Sequence, residues 1–312
     1  MENLIFSINV VLPICLLMIL GVFFRRIRLF DEGFLKKANN FTFNVLLPLL
    51  LFNNIYKSSI SDAVNIKLII FAISIILSIV GLMFIIVPKL EKDTRNRGII
   101  IQGLYRSNFV LFGVPLSRNI FGDSNLATVT TLVAIIIPLY NFLAVVILDW
   151  YSNDKSDYKK TFMSIIKNPL IIGSLLGIFA SVINLKLPEF AEEVISDMAG
   201  MATPLALMVL GGEIEINNIA KNIKHITVVT FGKLVVIPAI TIAVAVLFGY
   251  RGVELGALFS MVSPSCAVSS YTMAQQYDCN YELAGQLVFV STLICPLTIF
   301  MFIYFMKTFG FI

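Results

Sequence analysis

The dominant feature of this sequence is a series of long apolar segments separated by short polar stretches. A helix needs about 20 apolar residues to cross the hydrocarbon core of a bilayer, and windows of that length recur along all 312 residues, which are 58% hydrophobic and 13% charged. This pattern predicts an all-α membrane protein. It excludes a soluble enzyme domain, a disordered chain and a β-barrel, whose strands alternate polar and apolar residues.

Ten apolar windows, each bounded by charges, Gly or Pro, predict ten transmembrane helices, which we call spans 1 to 10. Their predicted bounds are 4–24, 34–56, 66–88, 98–121, 125–149, 162–184, 190–212, 226–249, 253–277 and 282–306. The longest polar connection, from Trp150 to Thr161, is too short to fold as a domain. We therefore expect any function to lie within the membrane.

Basic residues predict the orientation, because Lys and Arg near helix ends are retained on the cytoplasmic side. Fifteen of them lie around the loops after spans 1, 3, 5 and 7, six lie at the opposite ends, and Arg106 and Lys233 lie within spans. Both chain termini are thus expected outside, in a multi-pass protein of the plasma membrane. The first apolar segment is expected to be a retained helix rather than a signal peptide, since no basic region precedes it.

The two halves of the chain resemble each other at a shift of 156 residues. Pro13 falls on Pro169, Gly21 on Gly177, and Pro48 on Pro204 at this shift; Phe34 likewise falls on Phe190, and the run 19–23 on 175–179. Each half holds five spans, so the second half must enter the membrane in the opposite sense. We therefore predict two inverted five-helix repeats, residues 1–156 and 157–312, the plan of many secondary transporters.

Spans 4 and 9 carry polar residues, Gly and Pro near their midpoints, where a transporter of this plan binds its cargo. These residues are Arg106, Ser107, Asn108, Gly113 and Pro115 in span 4, and Pro264, Ser265 and Ser269 in span 9. A proline removes a helix hydrogen bond, and the freed backbone groups must find other partners in the membrane. We predict helix breaks at Gly113, Pro115 and Pro264, with half-helix N-termini directed at a shared cavity that suits an anion.

Ser107 and Asn108 are the first candidates for direct contact with the cargo, because a hydroxyl and an amide can orient a carboxylate without burying a charge. The alternative is a capping pair that only satisfies the broken helix. Pro264, Ser265 and Ser269 form the matching set in span 9.

Lys233 and Arg106 each lie about eight residues inside a span, where an unpaired charge is costly. Lys233 either faces the cavity, as an anion-attracting or coupling group, or extends to the surface along its apolar stem. The two residues together could form a basic entrance for anions. Asn141 either lines the cavity or bonds a neighbouring helix, and Glu213 and Glu215, at the end of span 7, are expected to be solvated.

Other classes of function find no support in the motifs. His225 is the only histidine, which excludes multi-histidine metal sites, so no metal and no cofactor are predicted. The chain lacks a phosphate-binding loop and a nucleophile elbow. Its basic residues form no patch suited to nucleic acid, and its four cysteines have no metal-ligand spacing.

Several motifs spread along the chain resemble the auxin efflux carrier family, which includes bacterial malate and malonate permeases and the plant PIN-type carriers. They are Asn44–Pro48, Ser107–Asn108, Gly113–Leu116, Phe121–Gly122, Asn168–Pro169, Ala202–Gly211, Pro264, Ala274 with Tyr277, and Ser291–Leu293. One position departs from the pattern, because the plant carriers have a proline where this chain has Ser107, so the break in span 4 is expected to be softer here.

The resemblance implies a scaffold of spans 1, 2, 6 and 7 and a transport domain of spans 3–5 and 8–10, in which spans 4 and 9 cross. It also implies elevator-type alternating access, a homodimer formed through the scaffold, and a carboxylate bound at the crossing, where the family asparagine matches Asn108.

The sequence as a whole predicts a secondary transporter of a small organic anion, a malate-like mono- or dicarboxylate, with H+ as a candidate coupling ion. Two alternatives stay open: a sodium-coupled symporter of the bile-acid type, and a receptor that binds the anion without moving it. No carboxylate lies near Asn108 or Pro264 in the sequence, which disfavours the sodium-coupled type.

Overall fold

The computed structural model describes residues 2–57, 65–122, 125–152, 167–183, 185–213 and 220–312, with side chains from Leu12 onward. The regular secondary structure of these residues is helical. The β-type pairing found among them is a single antiparallel bridge between Ser107 and Cys266.

Fourteen α-helices and three π-helical turns make up the described part of the chain. The helices are α1 (Glu2–Arg26), α2 (Glu32–Phe41), α3 (Leu47–Tyr56), α4 (Ile66–Leu90), α5 (Thr94–Tyr105), α6 (Val114–Phe121), α7 (Leu126–Tyr151), α8 (Pro169–Val182), α9 (Glu189–Glu213), α10 (Ile223–Phe231), α11 (Ile237–Leu247), α12 (Gly252–Val262), α13 (Ser269–Gln276) and α14 (Tyr281–Thr308). The π turns, Thr42–Leu46, Phe109–Gly113 and Gly232–Val236, precede α3, α6 and α11.

Several helices in the described ranges are long and apolar enough to cross a membrane. Five reach that length: Ile66–Leu90, Leu126–Tyr151, Glu189–Glu213, Ala220–Leu247 and Tyr281–Thr308. Shorter apolar helices occupy Phe109–Phe121, Pro169–Val182 and Gly252–Val262. The chain is therefore a multi-pass helical membrane protein, while the count of ten spans and their inverted repeat stay predictions.

Asx caps fix where several of these helices begin. The Asp93 side chain accepts a hydrogen bond from the backbone N–H of Arg95 at the start of α5. Asn168 caps α8 in the same way, with Pro169 in the first helical position, where its missing N–H costs nothing. These capping residues determine where α5 and α8 begin, and the predicted start of span 6, at residue 162, lies outside the described residues.

Each π turn lies directly before a helix that has proline as its second residue: Pro48, Pro115 and Pro238. A proline inside an α-helix lacks an N–H and clashes with the carbonyl four residues earlier. The wider π turn changes the register of the preceding carbonyls, which explains how the helix continues through these prolines instead of ending.

Helices α1, α3, α8 and α9 pack together, and we call them the first bundle. Their contacts depend on glycine: a Cβ on Gly211 would lie 2.0 Å from the carbonyl oxygen of Met18, and one on Gly21 would lie 2.0 Å from that of Met208. Gly173 makes a similar approach to Pro48, at 2.6 Å. The backbones of neighbouring helices therefore touch directly, as small residues allow in membranes.

Helices α4–α7 and α10–α14 form the second bundle, with α5 and α12 at its centre. Every residue from Gly98 to Tyr105 in α5 and from Leu255 to Val262 in α12 is buried. Because the last eight residues of each helix are buried on every side, both helices end inside the protein. The C-terminal ends of α5 and α12 thus lie in the interior, where the polar residues of predicted spans 4 and 9 follow them.

The glycine contacts of the first bundle can be tested with a matched pair of substitutions on α9. Gly211→Ala should lower the thermal unfolding temperature in detergent, because the new methyl group overpacks the α1 contact at a cost of about 1–3 kcal/mol. Gly200→Ala should leave it unchanged or raise it slightly, since a Cβ there meets nothing within 4 Å. Equal unfolding temperatures for the two variants would contradict the close packing of α1 on α9.

Candidate functional site

The centre of the second bundle holds two interrupted helices whose non-helical segments pair with each other. Helix α5 ends at Tyr105 and α12 ends at Val262, and the chain is not helical again until Phe109 and Ser269. The segments 106–108 and 263–268, which we call the crossover, are joined by the Ser107–Cys266 bridge. The backbone N–H of Asn108 donates to the carbonyl of Ser265 at 2.9 Å.

The interruption in span 4 lies earlier than predicted. Pro264 lies inside the observed interruption, as expected, but the chain is helical at Gly113 and Pro115, so the predicted breaks at these two residues are wrong. Gly113 has helical angles (φ −70°, ψ −41°) and ends a π turn that accommodates Pro115. Gly113 instead permits close packing, since a Cβ there would lie 2.4 Å from the carbonyl oxygen of Ser260.

Lys233 reaches the crossover from the π turn Gly232–Val236. Its side chain is fully buried, and Nζ donates a hydrogen bond to the hydroxyl oxygen of Ser107. Of the two alternatives for this lysine, burial excludes the one in which it extends to the surface. Its charge lies inside the protein, directly behind the extended segment.

Arg106 is also buried, with 3% of its surface exposed. One guanidinium nitrogen donates to Asn141 Oδ1 at 2.5 Å and another contacts Met273 Sδ at 2.8 Å. Asn141 Nδ2 donates in turn to the carbonyl of Ile137, so Asn141 bonds two elements. Arg106 and Lys233 are both buried, and neither pairs with a carboxylate among the residues described.

A cavity of about 90 Å³ lies between the crossover and the first bundle. Its walls come from the crossover, the start of both second half-helices, α3, α7, α8 and α9. They consist of Leu47, Leu50, Leu51, Asn54, Arg106, Ser107, Asn108, Phe109, Val110, Leu111, Ile137, Tyr140, Asn141, Leu170, Thr203, Ala206, Ala267, Val268 and Ser269. None of these residues is acidic, so the described wall carries one positive charge and no negative one.

Five of the eight predicted site residues line this cavity: Arg106, Ser107, Asn108, Asn141 and Ser269. The other three, Pro264, Ser265 and Lys233, lie behind it. The Ser265 hydroxyl accepts a hydrogen bond from Thr292 at 3.2 Å, and its carbonyl accepts the N–H of Asn108. These three residues shape and support the crossover without reaching the cavity surface.

Sequence reasoning missed the contribution of the first bundle, Asn54 on α3 and Thr203 on α9, and also Tyr140 on α7. One signal was available for Asn54, which is an amide within an apolar span, two turns after Pro48. The face on which it lies could not be read from the sequence.

Two amide groups on the cavity wall lack hydrogen-bond partners. The Nδ2 atoms of Asn108 and Asn54 are both buried, and neither has a partner among the described residues. The first N–H groups of the turn Phe109–Gly113 also have no intrahelical acceptor, by the geometry of a helix start. Buried donors of this kind are normally satisfied, so the cavity is suited to a ligand with negatively charged oxygen atoms.

One end of the interface between the bundles is closed by polar contacts. Glu213, the last residue of α9, accepts hydrogen bonds from the Tyr271 hydroxyl and from Gln275 Nε2, the latter at 3.2 Å to either oxygen. Asn168 Nδ2 donates to the Tyr277 hydroxyl at 2.9 Å. Glu213 is half-buried and ties α9 to α13; Glu215 lies outside the described residues.

Comparison with known proteins places the chain among transporters. A family model described as membrane transport protein matches residues 6–156 and 154–303. An uncharacterised transporter of Methanocaldococcus jannaschii is 23% identical over 295 residues, covering 91% of this chain and 94% of that protein. An uncharacterised transporter of Methanothermobacter thermautotrophicus is 22% identical over 303 residues, covering 92% and 94%.

The contact between Arg106 and Asn141 predicts opposite effects for two substitutions. Asn141→Leu removes the oxygen acceptor of a buried guanidinium and should destabilise the protein by about 1–3 kcal/mol or more. Asn141→Asp keeps the acceptor and adds a compensating charge, so its thermal unfolding temperature should stay at or above that of the wild type. If the Leu variant unfolds at the wild-type temperature in detergent, Asn141 does not hold Arg106 as described.

Proposed function

This chain belongs to the membrane transport protein family, the family of the auxin efflux carriers, and we propose that it is a secondary active transporter of a small organic anion. The cargo we propose is a malate-like mono- or dicarboxylate. The observation that carries the proposal is the cavity beside the crossover, which a buried arginine and two unpartnered amides line without any acidic residue among its described walls.

Asn108 has the central role in this proposal. Its free Nδ2, together with the N–H groups of the turn that follows, donates to a carboxylate of the cargo, and Ser107 and Ser269 offer hydroxyls beside it. Charge-assisted hydrogen bonds of this type are about twice as strong as neutral ones.

Arg106 and Lys233 supply positive potential from two directions. Arg106 lines the cavity, while Lys233 acts through Ser107 from behind the crossover. Both cations are held by neutral partners, and no carboxylate of the described ranges cancels their charge locally. In an interior of low dielectric constant this potential favours an anion in the cavity.

Movement of the second bundle relative to the first provides alternating access in this proposal. The first bundle serves as the scaffold and the second as the transport domain, and each takes helices from both inverted repeats, residues 1–156 and 157–312. The protein lies in the plasma membrane with both chain termini facing outside. Two copies form a homodimer through the scaffold. The contacts of Glu213 and Asn168 close the interface at one end. Elevator-type movement requires these contacts to break before the cargo can leave on that side.

Sodium coupling is the main alternative within transport, and the cavity argues against it. Hard metal cations take oxygen ligands, with carboxylates prominent among them, and no acidic residue lines the described walls of this cavity. A receptor without turnover is the other alternative, and only a flux measurement separates it from a carrier. We propose H+ as the coupling ion.

Removal of the Asn108 amide should abolish transport without unfolding the protein. We expect Asn108→Ala to lower malate uptake into proteoliposomes at least tenfold, because a hydrogen bond to the charged cargo is lost. Asn40→Ala, which removes an exposed amide of α2, is the matched control and should transport like the wild type. Wild-type flux in the Asn108→Ala variant would exclude Asn108 from the site.

The coupling ion can be tested by exchanging the external cation. We expect malate uptake to persist when Na+ is replaced by choline, and to increase with an inward H+ gradient. Uptake that stops without Na+ would favour the sodium-coupled alternative. Saturable malate binding with no flux under either condition would favour a receptor.

A further inference from the structure

We propose that Asn54, on the first bundle, is a second ligand of the cargo that acts from the wall facing the crossover. This inference rests on the proposed function and assigns a residue to it that neither the family motifs nor the sequence pattern singles out. Asn54 lies on α3, and Asn108 lies at the start of the second half of span 4. The two amides thus belong to different bundles and line the same cavity.

The burial of the Asn54 amide calls for a ligand. Its Nδ2 has less than 1 Å² of exposed surface and no hydrogen-bond partner in the part of the chain that the structure describes. Leaving a buried donor unsatisfied costs about 1–3 kcal/mol. Packing does not explain an amide at this position, whereas an oxygen atom of the cargo would satisfy it.

The neighbouring residue provides an internal comparison. Asn53 has the same side chain on the same helix, but it is absent from the cavity wall and its amide is not among the buried, unpartnered groups. An amide in this turn of α3 is therefore not in itself a sign of a site. The combination of burial, lack of a partner and position in the cavity wall distinguishes Asn54.

The geometry also limits the class of ligand. A carboxylate has two oxygen atoms and about four acceptor positions, so one group can accept from both Asn54 and Asn108, and a dicarboxylate can present one end to each. Both asparagines offer donors to the cavity, and Arg106 lines the same space. A cation would meet donors and a like charge, so the site takes an anion held between the two bundles.

Asn54 and Asn108 lie on bundles that move relative to each other in elevator-type transport. Their substitution should therefore affect the affinity for malate differently on the two faces of the membrane. Asn108 moves with the cargo and contributes to its affinity on both faces. Asn54 meets the cargo only in the conformation described here, in which the interface is closed at the Glu213 end. In the proposed mechanism the cargo therefore enters from the face opposite the Glu213 end, and only on that face should Asn54 strengthen binding.

The test compares Asn54→Leu, Asn53→Leu and the wild type in right-side-out and inside-out membrane vesicles, with labelled malate as the probe. We expect Asn54→Leu to raise the KM for malate about tenfold on the face opposite the Glu213 end, because a hydrogen bond to a charged group is lost. On the other face its KM should stay within about twofold of the wild-type value, and Asn53→Leu should be unchanged on both.

Asn54→Asp provides a second variant if Asn54→Leu does not fold. It keeps the shape of the side chain but replaces the donor by a negatively charged acceptor, so it should weaken malate binding on the same face at least as much. An unchanged KM on both faces, or an equal rise on both faces, would overturn the role of Asn54. A wild type that moves no malate in either vesicle type would instead overturn the proposed function, and the inference with it.

Discussion

The structure depends on one constraint: a helix that ends within a membrane protein must find partners for the backbone groups that it leaves unpaired. Helices α5 and α12 both end in the buried centre of the second bundle. The segments that follow them satisfy part of this need by pairing with each other, through the Ser107–Cys266 bridge and the N–H of Asn108. The backbone N–H groups at the start of the turn Phe109–Gly113 remain unpaired and lie beside the cavity, where irregular backbone is tolerated because it is not exposed to lipid.

The same constraint explains the charge of the site. Two cations, Arg106 and Lys233, are buried at the crossover and are held by an amide, a thioether and a hydroxyl. Neutral partners hold a cation in position without cancelling its field, so the potential stays available to a ligand. A buried carboxylate beside either residue would cancel this field and make the cavity less attractive to an anion.

The sequence allowed the position of the crossover to be predicted from rare residue types in apolar spans: Arg106, Asn108, Lys233 and Pro264. Placing charged or polar side chains within the membrane costs free energy, so such residues indicate a functional site. Proline was a weaker guide. Pro115 follows a π turn and lies in a continuous helix, since backbone register, which a residue pattern does not show, decides whether a proline breaks a helix or is accommodated. Contacts between distant elements were also not predictable.

Two residues illustrate this limit. Glu213 ends an apolar span next to polar residues, a pattern that does not show that Tyr271 and Gln275, from a helix about sixty residues later in the chain, donate hydrogen bonds to it. Asn54 has the same sequence surroundings as Asn53, and only the packing of α3 against the crossover shows which of the two lines the cavity. Apolar windows therefore predicted an all-helical membrane protein, while the wall contributed by the first bundle required the structure.

The most direct test of the account is a cryo-electron microscopy map of the protein in lipid nanodiscs with saturating malate, at a resolution that shows side chains. The account predicts that the chain is non-helical at 106–108 and 263–268, with density for a bound anion in contact with Asn108 Nδ2. Straight helices through both segments, or a cavity that is empty of anion density while malate occupies a site elsewhere, would contradict it.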